Sequence, residues 1–313
     1  MMRFLEADMN NTDMNKAGMN KADPAYAIFE PTHCQLGEGP TYDTGSDTAW
    51  WFDILGKKLI ERTLSADRAI VHDLPRMASA LAVVDGDRQL LICDDGLYLR
   101  KTADGTLSLL KALEADNTKT RSNDSRVHPS GAMWIGTMGI EAETGAGAIY
   151  HFHRGELQVL YSHISVPNSI CFNTDGSVGH YTDTPTGKVM RVALDPANGL
   201  PVGEPAVFLD RTTDSTGSAD GAVMDADGII WIARWDGACV KAYDPTGACV
   251  ETITLPAARI TCPAFIGAHA DRMIVTSAST GLSPEQADLQ PHAGQTFLLD
   301  RPMRGKIEPS VVL

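Results

Sequence analysis

Four short polar islands hold the residue types that could do chemistry: Glu38 in LGEGP, Arg121 to Asp124 in RSND, Asn168 in VPNS and Asp220 in SADG. They carry carboxylate and amide oxygens and a guanidinium beside Gly, Pro or Ser, residues that mark strand ends and turns. Convergence of these islands would make a metal-dependent active site. Taken singly, each has an ordinary reading. Glu38 can be a solvent-facing turn residue, Asn168 and Asp220 can bond their own backbone in Asx-turns, and Arg121 can pair with a surface carboxylate. The spacing of two between Arg121 and Asn123 sends both to one face of a strand.

Other chemistries lack their signatures. The chain has no GxSxG elbow, no P-loop and no HExxH, and GAGAIY lacks the spacing of a dinucleotide fingerprint. His151 and His153 share a strand face, but an HxH pair in an outer hairpin is more often packed or exposed than metal-bound. His128, beside Pro129, is expected nearer the channel, where it could orient a neighbour. Trp50, Trp51, Trp134 and Trp231 read as core. Trp235 is the exception, because it follows a strand toward a loop.

Residues so far apart must be brought together by a repeated element. A turn of Asp/Asn/Gly type followed by an apolar strand recurs six times, in YDTGSDTAWWFDI, VVDGDRQLLICDD, VHPSGAMWIGTMG, FNTDGSVGHYTDT, MDADGIIWIARWD and GAHADRMIVTSAS. The turns fall near Asp43, Asp85, His128, Asn173, Asp225 and His269, roughly 42 to 52 residues apart, the length of a four-stranded propeller blade. A second run follows in five units, as in GKVMRVALD, with apolar residues at every second position, a hairpin signal. Helical periodicity is nearly absent, and the segment 107–116 reads as an inter-blade connection. The expected fold is all-β, a six-bladed β-propeller with a central metal site.

With 313 residues, 43% hydrophobic and 21% charged, the chain can bury a large core. A formal charge of -14 opposes nucleic acid and anionic membranes as partners and favours cations. The six cysteines form no CxxC pair and read as reduced, mostly buried thiols. Residues 1–23 are polar and Met-rich, without the apolar core of a signal peptide, and no later run is long and apolar enough to span a membrane. The expectation is a cytoplasmic protein with a disordered extension over 1–23 and one propeller domain over 24–313. Met9, Met14 or Met19 could each be the true start.

The motifs LGEGP, RSNDSRVHPSGAMWIGTM, VPNSICFNTDG and SADGAVMDADGIIWIARWDG, with TCPAFIG and MIVTSA, occur in an order that resembles the gluconolactonase, senescence marker protein (regucalcin) and luciferin-regenerating family over about residues 30–299. The resemblance implies a six-bladed propeller whose channel holds one divalent cation and hydrolyses sugar lactones. It makes Glu38, Asn168 and Asp220 the metal ligands, Asp220 also the general base, and Arg121, Asn123 and Glu141 the substrate contacts. Such an oxygen-only set suits calcium first, with magnesium, manganese, zinc or iron(II) also fitting. Two departures stand out: Ser169 follows Asn168 where the family usually has Gly, and Ala219 precedes Asp220 where it usually has Pro.

The expected activity is therefore opening of a five- or six-carbon aldonolactone to its aldonic acid by a metal-polarised carbonyl and an activated water. Two alternatives stand beside it, a non-catalytic calcium-binding regulatory propeller and a lactonase or esterase for a non-sugar substrate. The polar Arg, Asn and Glu set speaks against the last. The expected partner is a small-molecule sugar lactone.

Overall fold

The repeated turns each join the two innermost strands of a four-stranded antiparallel sheet, and six such sheets make up the computed structural model, which describes residues 25–212 and 215–313. The expected extension over 1–23 lies outside the described residues. The innermost strands, from blade 1 to blade 6, are Gly37–Asp43, Ala78–Val83, Thr120–Val127, Pro167–Phe172, Ser218–Met224 and Arg259–Ile266. Blades 1 to 5 run outward in simple chain order. Blade 6 takes its outermost strand, Tyr26–Glu30, from the start of the described chain, paired antiparallel with Thr296–Leu299. That pairing closes the ring and leaves no blade short of a strand.

Two local expectations are corrected. Leu107–Ala112, read as a connection, is the outermost strand of blade 2. Its Leu109 and Leu110 are exposed, so no burial pattern marks it as a strand. Pro284–Leu289 is a helix of six residues, too short to show helical periodicity. Its signal was local: Ser283 and Gln286 form a reciprocal capping box.

Bulky apolar side chains fill the space between blades. Trp51 and Trp134 are fully buried, and Trp50 and Trp231 nearly so. None of the six cysteines is joined in a disulfide among the described residues, and five are buried. No helix among the described residues is long and apolar enough to cross a membrane.

Every innermost strand breaks register with its neighbour near its start. The shifts fall between Glu38 and Thr41, Ala78 and Ala80, Ser122 and Ser125, Asn168 and Cys171, Ala219 and Ala222, and Ile260 and Pro263. A β-bulge re-aims the side chains beside it, and here six bulges form one ring around the channel. The bulges of alternate blades carry a hydroxyl that clasps the next blade. Ser79 Oγ donates to Asn123 O (2.7 Å), Ser169 Oγ to Asp220 O (2.5 Å) and Thr261 Oγ1 to Gly37 O (2.5 Å). Each clasp therefore ends on or next to a polar island of blade 3, 5 or 1.

The far end of the channel is closed by the last eleven residues. Main-chain bonds tie the tail to blade 5 (Ala226 N to Arg304 O, 2.8 Å), blade 6 (Gly305 N to Ala270 O, 3.0 Å), blade 2 (Val311 N to Val83 O, 2.8 Å) and blade 3 (Val312 N to Gly131 O, 2.9 Å). Lys306 donates to the carbonyl of Phe172 in blade 4, and Glu308 accepts from Arg126 Nη1 of blade 3 (2.9 Å) and more weakly from Thr41 of blade 1 (3.4 Å). All six blades are thus strapped by one segment.

Candidate active site

The start of the inner strands opens on a cavity of about 360 Å³ whose floor is Glu38, Arg121, Asn123, Asn168 and Asp220. Five of the six residues singled out from the sequence therefore meet in one place. Arg121, Asn123 and Asn168 form a hydrogen-bonded chain. Arg121 Nη1 donates to Asn123 Oδ1 (2.8 Å), and Asn123 Nδ2 donates to Asn168 Oδ1 (3.0 Å) and to Pro167 O (2.9 Å). Asn168 Nδ2 donates in turn to Thr184 Oγ1 (3.0 Å), which donates to Ala219 O (3.0 Å) beside Asp220. Thr184 thus fixes which way the Asn168 amide faces. It was not singled out from the sequence, because its role depends on a short 3-10 turn, Thr184–Thr186, that no periodicity announces.

Backbone constraint holds the carboxylates. Gly39 has φ +56, and a Cβ there would lie 2.0 Å from Ser79 O, so only glycine lets blades 1 and 2 approach this closely. Its N–H donates to Glu38 Oε2 (3.0 Å). Ser169, where the family usually has Gly, also takes positive φ (55°), which explains the usual glycine; its clasp to Asp220 O offsets part of the strain.

The electrostatics are those of charges gathered with too little compensation. Burial, then the nearby Asp124 carboxylate, pushes the Glu38 pKa up to about 8. Burial, then Glu38 and Asp124, raises Asp220 well above the carboxylate range. Asp124 is raised to about 6 by burial, against the pull of Arg126. Burial lowers Arg121 to about 10, although Glu38 and Asp220 hold its proton. Asp124 Oδ2 accepts from Ile170 N (2.7 Å), so it braces the bulge that follows Asn168.

Among the described residues no three His, Cys, Asp or Glu side chains form a metal cluster. The candidate set is two carboxylates and an amide, and it fits a divalent cation on two grounds. Burial and crowded carboxylates raise the proton affinity of both Glu38 and Asp220, Asp124 acting on each and Glu38 also on Asp220, a repulsion that a divalent charge would relieve. Asn168 Oδ1 accepts one hydrogen bond, so its second lone pair remains for a cation. Oxygen donors of this kind suit hard ions.

Glu141 is not brought into the cavity: it is exposed on the rim, while its neighbours Ile140 and Ala142 line the wall. His128 corrects the expectation that it sits near the chemistry. It lies at the end of its strand remote from Arg121, fully buried, with its ring nitrogens bonded to Ser130 Oγ and Gly176 O (both 2.8 Å). His151 is buried and bonded to Asn198 O (2.7 Å), packed edge-on against His153. Trp235 does line the cavity, half-buried.

Fold and site together define a six-bladed propeller with a carboxylate and amide floor on its axis. The chain belongs to the family described as SMP-30/Gluconolactonase/LRE-like region, whose model matches residues 36–279. It is 48% identical over 276 residues to a Rhizobium meliloti (strain 1021) protein whose name carries a provisional sugar lactone lactonase assignment, covering 88% of this chain and 93% of that one. It is 29% identical to a pentonolactonase of Haloferax volcanii (88% and 94% covered) and 29% identical to an L-arabinolactonase of Azospirillum brasilense (87% and 90% covered). A crystal structure from Agrobacterium tumefaciens str. C58, described as a calcium-binding protein, regucalcin, superposes with TM-score 0.90 at 48% identity, covering 92% of this chain and 98% of that one.

Proposed function

We propose that the protein hydrolyses sugar lactones of five or six carbons at this floor, with one divalent cation held by Glu38, Asn168 and Asp220. Relatives named for pentonolactone and arabinolactone hydrolysis support the substrate class. The observation that carries the mechanism is the convergence of two carboxylates of raised proton affinity with the Arg121–Asn123–Asn168 hydrogen-bond chain in one cavity. A divalent cation supplies Lewis acidity to the ester carbonyl and lowers the pKa of water.

Asp220 takes the proton from the attacking water at a carboxylate oxygen. Water oxygen bonds to the carbonyl carbon, the ring C–O bond breaks, and the proton passes to the departing ring oxygen. The product is a hydroxy acid that releases one proton near neutral pH. Arg121 faces the oxyanion and then the carboxylate product with a permanent charge. Asn123 orients both Arg121 and Asn168, and Glu141 contacts the outer part of the substrate from the rim. Calcium is the first choice of ion, with magnesium, manganese, zinc or iron(II) chemically acceptable.

The calcium-binding description of the Agrobacterium tumefaciens structure favours a second reading, in which the same three residues hold calcium without catalysis. The two separate on Asp220→Ala and Glu38→Ala. On the enzymatic reading each abolishes hydrolysis across an aldonolactone panel, by about 10²-fold or more. Wild-type protein that binds calcium tightly but opens no lactone above the spontaneous rate would leave only the regulatory reading.

A further inference from the structure

The cavity has two zones of opposite character. Its floor is polar, but most of the remaining lining is an apolar collar of Leu36, Leu55, Met138, Ile140, Val166 and Trp235. The sequence offered the floor residues and suggested a uniformly polar pocket; the collar comes from strand ends and loops of several blades. Two threonines interrupt it. The Thr184 hydroxyl already donates to Ala219 O and accepts from Asn168. Thr280 is the other.

Trp235 is the largest member of the collar and is held in place from two sides. The Arg259 guanidinium lies 5.0 Å from the centre of its ring, and Arg259 Nε is itself paired with Asp236 Oδ1 at 3.0 Å. The ring also packs against the apolar cluster that contains Leu36 and Ala278. A fixed aromatic face offers a C–H surface something to pack on and gives a hydroxyl no partner.

We propose that Trp235 and the collar determine specificity, selecting lactones whose exocyclic arm ends in a methyl group, the deoxy-aldonolactones, over those whose arm ends in a hydroxymethyl group. This rests on the lactonase reading above. With the carbonyl at the floor, the arm at the far side of the ring meets the collar. Against the apolar members of the collar a terminal hydroxyl gives up its water without gaining a partner, whereas a methyl group is buried to advantage. The discrimination available to such a wall is about 10- to 100-fold.

The test compares kcat/KM for matched pairs: L-galactono-1,4-lactone with its 6-deoxy analogue L-fucono-1,4-lactone, and the corresponding D-pair. Wild-type protein is expected to favour the deoxy member of at least one pair by about tenfold or more, chiefly through KM. Trp235→Ala is expected to bring that ratio close to one by admitting water. Val166→Thr, a nearly isosteric change that adds a hydroxyl to the collar, should lower the ratio by improving the hydroxylated member. Preference for the hydroxylated member of both pairs, or a ratio that neither substitution moves, overturns this inference and leaves the lactonase standing. Failure to open any of the four in protein that does open a five-carbon aldonolactone overturns this inference alone; failure with the five-carbon lactone as well overturns the lactonase reading and this inference with it.

Discussion

Ser169 shows how much one side chain settles. Its positive φ is a conformation glycine adopts without strain, yet its hydroxyl ties blade 4 to the carbonyl of Asp220. Replacing it separates the two effects. Ser169→Ala keeps the strain and loses the bond, and should cost about 1–3 kcal/mol. Ser169→Gly loses the bond but relieves the strain, and should stay within about 1 kcal/mol of wild type. Denaturant unfolding of the pair decides the matter; a glycine variant less stable than the alanine variant would contradict the assignment. At this scale the sequence was informative where a residue carried its own chemistry. Glu38, Arg121, Asn123, Asn168 and Asp220 were legible as oxygen or cation groups beside turn residues. Thr184 was not, because an ordinary threonine becomes a determinant of the Asn168 amide only through a contact between different turns. Glu141 was legible only by motif position, and the structure leaves it exposed on the rim between cavity-lining Ile140 and Ala142.

The bulge is the element that converts a strand into a ligand holder, and the three hydroxyl clasps keep neighbouring bulges in step. Thr261 holds Gly37 O, one residue before Glu38. Thr261→Val preserves shape and leaves that buried carbonyl without its clasp, so stability should fall by about 1–3 kcal/mol. Cation affinity, read by titration calorimetry, should fall as well, because Glu38 loses its register. Unchanged affinity in a folded Thr261→Val protein would show that the clasp does not position the ligand. Gly39→Ala is expected to be more damaging, since its Cβ would meet the Ser79 carbonyl at 2.0 Å. The strands themselves were readable from turn residues and two-residue alternation. The outermost strand Leu107–Ala112 was not, because a strand at the rim of a blade buries too little to impose a pattern. The bulges were invisible for a different reason: they are register shifts between partners, and a single strand does not state its register.

Over the whole molecule, the ring is closed at one edge by Tyr26–Glu30 and at one end by the tail. The repeat spacing announced six blades, but the tail lies beyond the last repeat and has neither periodicity nor regular structure. Its contacts with all six blades could not be anticipated. The gathered carboxylates also give the molecule a pH-dependent stability. Glu38 and Asp124 have folded pKa values of about 8 and about 6, above the usual carboxylate value of about 4, and Asp220 is raised in the same direction. The folded state therefore binds these protons more tightly than the unfolded chain. Their stabilising contribution is complete at acid pH below the unfolded value and is lost as pH rises through 6 to 8. Metal-free protein should accordingly show a falling Tm between pH 5 and pH 8.5, apart from effects of other groups. Excess divalent cation should raise Tm more at pH 8.5 than at pH 5, and a gain that is equal or larger at pH 5 would contradict this electrostatic picture.

The most direct measurement is acid release from a five-carbon aldonolactone near neutral pH, corrected for spontaneous opening, using protein stripped with a chelator and then given calcium, manganese or zinc. A cation-dependent lactonase should be nearly silent when stripped, recover with at least one ion, and stay silent with every ion as Asp220→Ala. A stripped protein that opens the lactone as fast as the reloaded one would contradict the central claim.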